Sequence, residues 1–177
     1  MSERFRSIYL RPCRIDLTIR AGVTVPLPST ALARAASTAL EAAGAPSPAS
    51  LGIILSDDAE LTTLNERHMD ESGPTDVLSF PLLQPSAFPA SDGGSVPAAP
   101  GPPGRRPHLG DIVVSVERAA AQAARGHGGQ TGDVAWSAAD ELRLLVTHGA
   151  LHVCGWDHVS PEEEAAMRAL ERRLLAG

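Results

Sequence analysis

The alternation of apolar and polar residues predicts four β-strands. Residues 14–20 alternate with the period of two that is typical of a half-buried strand. Residues 51–55 form a short apolar run, and residues 75–81 alternate again. Residues 110–116 are predicted to form the fourth strand and to pair with strand 75–81, with a long excursion of the chain between the two.

Helical patterns lie between and after these strands. Capping boxes mark two of the helix starts, with Asp57 followed by Glu60 and Ser160 followed by Glu163. The predicted helices begin near Pro28, Asp57, Glu117, Trp136 and Ser160. Early strands with helices throughout predict an α+β fold, in which helices pack against a small mixed β-sheet.

The composition predicts one domain over residues 1–177. A chain of 177 residues with 43% hydrophobic and 20% charged residues is ordinary for a globular protein and long enough for one core. Residues 84–107 differ, because Pro, Gly, Ser and Ala dominate there. Such a segment buries too little apolar surface to offset its ordering entropy, so we expect a flexible loop inside the domain.

The net charge and the length of the apolar stretches indicate whether a nucleic acid or a membrane is an expected partner. The net charge is −6, so a nucleic-acid partner would require a local cluster of basic residues. No stretch approaches eighteen uninterrupted apolar residues, and the first twenty residues lack the long apolar region of a signal peptide. We therefore expect a cytoplasmic protein without a membrane partner.

Three histidines near the C-terminus predict a metal site. His148 and His152 are four residues apart, so on a helix their rings project from one face. Gly155 can end that helix at a positive φ, and the chain can then return His158 to the first pair. Three neutral imidazoles arranged in this way bind one zinc ion and leave one coordination position open for water, which is typical of a catalytic site.

The same spacing occurs in zinc peptidases with the pattern H-E-x-x-H-x-x-G-x-x-H. A peptidase of this type needs a Glu directly after the first histidine, where it acts as the general base. This chain has Gly149 at that position. The sequence therefore favours hydrolysis of a phosphodiester over hydrolysis of a peptide, and it does not identify a catalytic base.

Three blocks of the sequence resemble the motifs of one known family. Residues 148–158 resemble the signature H-G-x-L-H-x-x-G-[YW]-D-H. Residues 73–81 are similar to the block P-T-D-V-L-S-F-P, and residues 109–115 to the block L-G-D-I-V-I-S. The blocks follow in the order found in the family, and together they are far more specific than any one of them. By these blocks the chain resembles the YbeY-type rRNA maturation proteins.

The resemblance implies an endoribonuclease specific for single-stranded RNA, with one zinc ion held by His148, His152 and His158. It implies a role in maturation of small-subunit ribosomal RNA and in ribosome quality control, with ribosomal RNA and the ribosome or its small subunit as partners. It also implies a cleft between the histidine helix and the strand at residues 75–81.

Four further residues are candidates for supporting the metal or contacting substrate. Asp157 can orient an imidazole or cap a turn, and Asp76 can contact the site or pin its strand. Ser79 can contact the RNA backbone or be an ordinary exposed serine. Many members of the family carry an Arg where this chain has Met69. Arg67 and His68 lie close by, and Arg67 is the candidate to take over the phosphate contact from a different angle.

Two alternatives to the endoribonuclease remain open. One is a non-catalytic ribosome-assembly factor in which zinc orders the C-terminal helices, and Met69 together with the net charge of −6 favours it. The other is a zinc peptidase, which shares the ligand spacing and lacks the base.

Overall fold

The computed structural model describes residues 2–68, 72–73, 75–89, 106–125 and 136–176. Its five strands are β1 (Arg4–Leu10), β2 (Cys13–Ile19), β3 (Ser50–Ser56), β4 (Val77–Pro81) and β5 (His108–Ser115). Its five α-helices are α1 (Ser29–Ala42), α2 (Asp58–His68), α3 (Val116–Ala124), α4 (Ala138–Val153) and α5 (Pro161–Leu175).

The strands form one mixed sheet in the order β1-β2-β3-β5-β4. The β2–β3 and β3–β5 pairs are parallel, whereas β1 and β4 run antiparallel to their neighbours at the two edges. The α+β fold is therefore confirmed, as is the pairing of the strands on either side of the long excursion. Ser79 of β4 lies opposite Ile112 of β5.

Strand β1 was not predicted from the sequence. It is an edge strand, and five of its seven residues are exposed, including Phe5 and Tyr9 with 64% of their surfaces accessible. An edge strand of this kind lacks the clear alternation between buried and exposed positions on which the prediction of a strand depends.

Helix α4 is the central helix of the fold. It contacts β4 and β5 of the sheet as well as helices α1, α3 and α5. Ten of its residues are buried, and six of these join the buried side chains of β2, β3 and α1 in the main hydrophobic core. Because α4 is packed on several sides, its backbone holds the residues it carries in a fixed position relative to the sheet.

Both predicted capping positions cap helices. Asp57 accepts a hydrogen bond of 2.9 Å from the Glu60 backbone N–H. At α5 the box is reciprocal, since the Ser160 hydroxyl accepts from the Glu163 N–H and the Glu163 carboxylate accepts from the Ser160 N–H. These caps satisfy backbone donors that a helix start leaves without partners.

The Pro- and Gly-rich segment at residues 84–107 is partly folded. Residues Pro85–Ala87 form a 3-10 helix, and the next residue, Phe88, is buried in the main core. One buried aromatic side chain therefore anchors the first part of the segment for which we expect a flexible loop. Residues 90–105 lie outside the described residues. No helix in the described parts of the chain is long and apolar enough to cross a bilayer.

Candidate metal centre

Helix α4 and the turn after it bring three histidines together. His148 and His152 lie one turn apart on α4, which ends at Val153. Gly155 has a φ of 82°, as the sequence predicts. The Gly155 N–H donates to the His152 carbonyl at 3.0 Å, and the Trp156 N–H donates to the Leu151 carbonyl at 3.1 Å. These two bonds form a Schellman motif, which reverses the chain and returns His158 toward the helix.

The three imidazoles converge closely enough to hold a metal ion. One ligand nitrogen from each of His148, His152 and His158 lies within 4.8 Å of the other two. The Nε2 atoms of His148 and His152 are 3.0 Å apart. The His158 ring centroid lies 5.6 Å from that of His148 and 5.0 Å from that of His152. His148 and His152 are partly buried and His158 is exposed, so the cluster lies at the surface.

The surroundings of His152 favour the neutral imidazole. Burial lowers the pKa of His152 to about 4, and the neighbouring His148 and His158 act in the same direction. The charge of Asp157 and a hydrogen bond with the Trp156 backbone oppose this shift. A neutral imidazole is the form that binds metals, so His152 is in the ligand form at neutral pH.

A carboxyl group that the sequence analysis missed contacts the cluster. Glu171 of α5 is only 1% exposed, and its Oε1 atom lies 2.7 Å from His148 Nδ1. The sequence does contain a signal for this residue, because Glu171 falls on the same face of α5 as Met167, Leu170 and Leu174. A charged residue at a core position of an amphipathic helix indicates a specific buried partner.

A cavity of about 150 Å³ lies beside the cluster, between α4 and α5. Two of the histidines and four residues of α5 line it, namely His148, His158, Glu164, Met167, Arg168 and Glu171. Glu164 and Arg168 form an ion pair at the partly exposed side of this cavity. The inner wall contains the buried side chains of Met167 and Glu171.

Ser79 of strand β4 and Asp76, which directly precedes this strand, make contacts within the protein. The Ser79 hydroxyl donates a hydrogen bond of 3.1 Å to the carbonyl oxygen of Gly149, between the two histidines of α4. The Asp76 carboxylate accepts from the Val77 N–H at 2.9 Å and from the Gln122 amide at 3.1 Å. Ser79 therefore fastens the sheet to the histidine helix, and Asp76 ties β4 to α3.

The other candidates lie nearer the surface. Asp157 accepts a hydrogen bond of 2.8 Å from the backbone N–H of His158, so it supports the turn that carries this histidine. Arg67 is exposed in the last turn of α2. The next residue, His68, packs edge-on against Phe80 of β4, with ring centroids 5.5 Å apart. Met69 lies outside the described residues.

Helix α4 and strand β4 are in direct contact at Gly149. A Cβ atom added at this position would lie 3.0 Å from Val77 Cγ2 and 3.1 Å from Ile112 Cγ2. The cleft that the family resemblance implied between helix and strand is therefore closed at this point. A Cβ atom at position 149, where a peptidase carries its general base, would face the side chains of Val77 and Ile112 in the sheet.

Comparison with known proteins agrees with the resemblance of the sequence blocks. A family model described as Endoribonuclease YbeY matches residues 24–177. The chain is 39% identical over 167 residues to the endoribonuclease YbeY of Thermobifida fusca, and the match covers 92% of each chain. The corresponding protein of Symbiobacterium thermophilum is 43% identical over 147 residues, covering 81% of this chain and 82% of the relative.

A third relative, the endoribonuclease YbeY of Salinispora tropica, is 41% identical over 167 residues, which cover 92% of this chain and 94% of the relative. The match to the family model extends over the histidine cluster and over strands β3, β4 and β5. The chain belongs to the endoribonuclease YbeY family.

Proposed function

We propose that this protein is a zinc-dependent endoribonuclease that cleaves single-stranded RNA in the maturation of small-subunit ribosomal RNA and in ribosome quality control. The observation that carries the proposal is the convergence of three imidazole nitrogens within 4.8 Å in a chain of the YbeY family. The proposal places the protein in the cytoplasm, with the ribosome or its small subunit as a partner, and treats residues 1–177 as one domain.

The donor set supports zinc as the metal. Zinc accepts histidine nitrogens at about 2.0–2.1 Å, which puts neighbouring ligand nitrogens of a tetrahedral site roughly 3.3 Å apart. The Nε2 atoms of His148 and His152 are already 3.0 Å apart, so a small outward movement would accommodate the ion. Three histidines leave one position open, as in catalytic zinc sites. A bound zinc ion supplies Lewis acidity and lowers the pKa of a coordinated water.

The protein residues have supporting roles in this proposal. His152 is neutral and its lone pair is available, because burial disfavours its protonated form. Asp157 braces the turn that holds His158. Ser79 holds the Gly149 carbonyl, so the backbone between His148 and His152 keeps its position relative to the sheet. RNA carries its own nucleophile, the 2′-hydroxyl, so a nucleophilic side chain is not required.

A non-catalytic assembly factor is the second candidate. The acidic balance of the chain favours it, because a net charge of −6 weakens attraction to phosphate outside a local basic patch. A zinc peptidase is disfavoured by Gly149, whose position faces Val77 and Ile112 in the sheet.

Metal content and RNA cleavage by the purified chain test the proposal. We expect one zinc ion per chain and cleavage of an end-labelled single-stranded RNA, with much slower cleavage of the same sequence in a duplex. His148→Ala and His152→Ala should lose both properties. His108→Gln changes a histidine outside the cluster and should keep both. Zinc binding without histidine-dependent cleavage would support the assembly factor, and the absence of zinc binding would overturn the metal centre.

A further inference from the structure

Glu171 has an unusual environment for a carboxyl group. Its side chain is 1% exposed, and its Oε1 atom contacts His148 Nδ1 at 2.7 Å. Its Oε2 atom is buried and has no hydrogen-bond partner among the described residues. Met167 and Leu170, which are both buried, lie on the same face of α5. The carboxyl group therefore makes a hydrogen bond to a candidate metal ligand and lies on the buried face of α5.

This contact determines which nitrogen of His148 is available. A neutral imidazole carries one N–H, and its other nitrogen has the lone pair that binds a metal. An ionised carboxyl group can only accept a hydrogen bond, so with Glu171 as a carboxylate the N–H of a neutral His148 ring lies on Nδ1 and its lone pair on Nε2. That Nε2 atom is the one that faces His152 Nε2 at 3.0 Å. Glu171 thus selects the tautomer in which the lone pair is directed into the cluster.

A carboxyl group at the buried position of Glu171 is not what the stability of the protein would favour. Burying a carboxyl group with an unpaired oxygen costs free energy, and an apolar side chain of similar volume is often as stable or more stable in such a position. A leucine would continue the apolar face that Met167, Leu170 and Leu174 form. The contact with His148 is what this carboxyl group provides and a leucine would not.

We propose that Glu171 is a positioning residue of the metal centre. It fixes the tautomer and the ring orientation of His148, and it connects α5 to the metal site, so that metal binding and the docking of α5 are energetically linked. This inference rests on the proposed metal-dependent function and assigns a role in it to a residue from a separate helix. Carboxylate partners of metal-binding histidines typically change metal affinity by about 10–100-fold when they are removed.

The test is zinc affinity measured by calorimetry at fixed pH, together with the melting temperature of the metal-free protein. We expect Glu171→Leu to bind zinc about 10–100-fold more weakly than the original chain. Its metal-free melting temperature should be equal or higher, because an apolar side chain replaces a buried carboxyl group. Glu171→Gln keeps the size of the side chain and can still accept a hydrogen bond from Nδ1, but it lacks the negative charge, so it should weaken zinc binding less than Glu171→Leu does.

Glu164→Gln is the matched control, since Glu164 lies on the same helix and lines the same cavity but pairs with Arg168. It should change zinc affinity less than twofold. The electronic absorption spectrum of the cobalt-substituted protein gives a second readout, because it reports ligand geometry. It should change in the Glu171 variants and not in the control.

Hydrogen exchange distinguishes linkage from a local effect. Zinc should slow amide exchange in α5 of the original chain and slow it much less in Glu171→Leu. Folded Glu171 variants that bind zinc with unchanged affinity would overturn the inference and leave the metal-dependent function intact. A lower melting temperature with unchanged affinity would show a merely structural role. If the original chain binds no zinc, the proposed function itself fails.

Discussion

Gly149 packs so closely against Val77 that a Cβ atom at position 149 would lie 3.0 Å from Val77 Cγ2. The Cγ2 and Cβ atoms of Ile112 would lie 3.1 and 3.3 Å from the same added atom. Helix α4 is therefore in tight contact with the sheet directly beside His148. The position of the histidine pair depends on how far the helix stands from β4 and β5.

Gly149→Ala should destabilise the protein by about 1–2 kcal/mol, because overpacking of a dense interior displaces its neighbours. Alanine favours a helix interior by roughly 0.5–1 kcal/mol over glycine, which offsets part of the cost. Urea unfolding gives the stability change. We also expect weaker zinc binding, since an outward movement of α4 shifts the histidines. A variant as stable as the original chain would show that Val77 and Ile112 can yield without cost.

The histidine cluster was predictable because its determinants are local in the chain. The i,i+4 spacing of His148 and His152 follows from helix geometry, and Gly155 indicates the turn that returns His158. The sequence pattern predicts these relations without knowledge of tertiary packing. The same is true of the capping residue Ser160 and of most of the strands.

The contacts that support the cluster were not predictable in this way. Glu171 meets His148 across 23 residues, and Ser79 meets Gly149 across 70. Both contacts depend on how separate elements pack, which a periodic pattern does not specify. Strand β1 was missed for a related reason, because an exposed edge strand owes its structure to its pairing with β2.

Ser79→Ala should remove the hydrogen bond to the Gly149 carbonyl and destabilise the protein by about 1 kcal/mol. The carbonyl group belongs to the backbone of α4, and its helix position does not depend on this bond alone. We therefore expect zinc affinity to change only slightly. The measurements are urea unfolding and calorimetry with zinc. Ser86→Ala, at an exposed position, is the control for loss of a hydroxyl. Unchanged stability with weaker RNA binding would instead assign Ser79 to the substrate.

Gly155→Ala should destabilise the turn after α4, because an alanine at a φ of 82° costs roughly 1–2 kcal/mol. The added Cβ atom would also lie 3.3 Å from Pro85 Cα. Zinc affinity should fall together with stability, since this turn carries His158. Gly155→Asn is the matched comparison, because asparagine tolerates this backbone conformation better, and it should retain more zinc affinity. Equal effects of both substitutions would attribute the loss to the contact with Pro85 rather than to backbone strain.

The titration of His152 predicts the pH dependence of the metal-free protein. Burial lowers its pKa from 6.5 to about 4 in the folded state, so between these values the unfolded chain binds more protons at this residue. The contribution of His152 to stability is therefore complete above about pH 6.5 and decreases as the pH falls toward 4.

Nuclear magnetic resonance of the metal-free protein should show the His152 ring titrating near pH 4. The difference in unfolding free energy between the original chain and His152→Gln should become smaller as the pH falls from 6.5 to 4. At neutral pH this ring has no proton to release when zinc binds, so proton release by His152 should not contribute to the pH dependence of zinc affinity between pH 6 and 8. A ring that titrates at 6.5 or above would mean that solvent reaches His152 and that the imidazolium is tolerated inside the cluster.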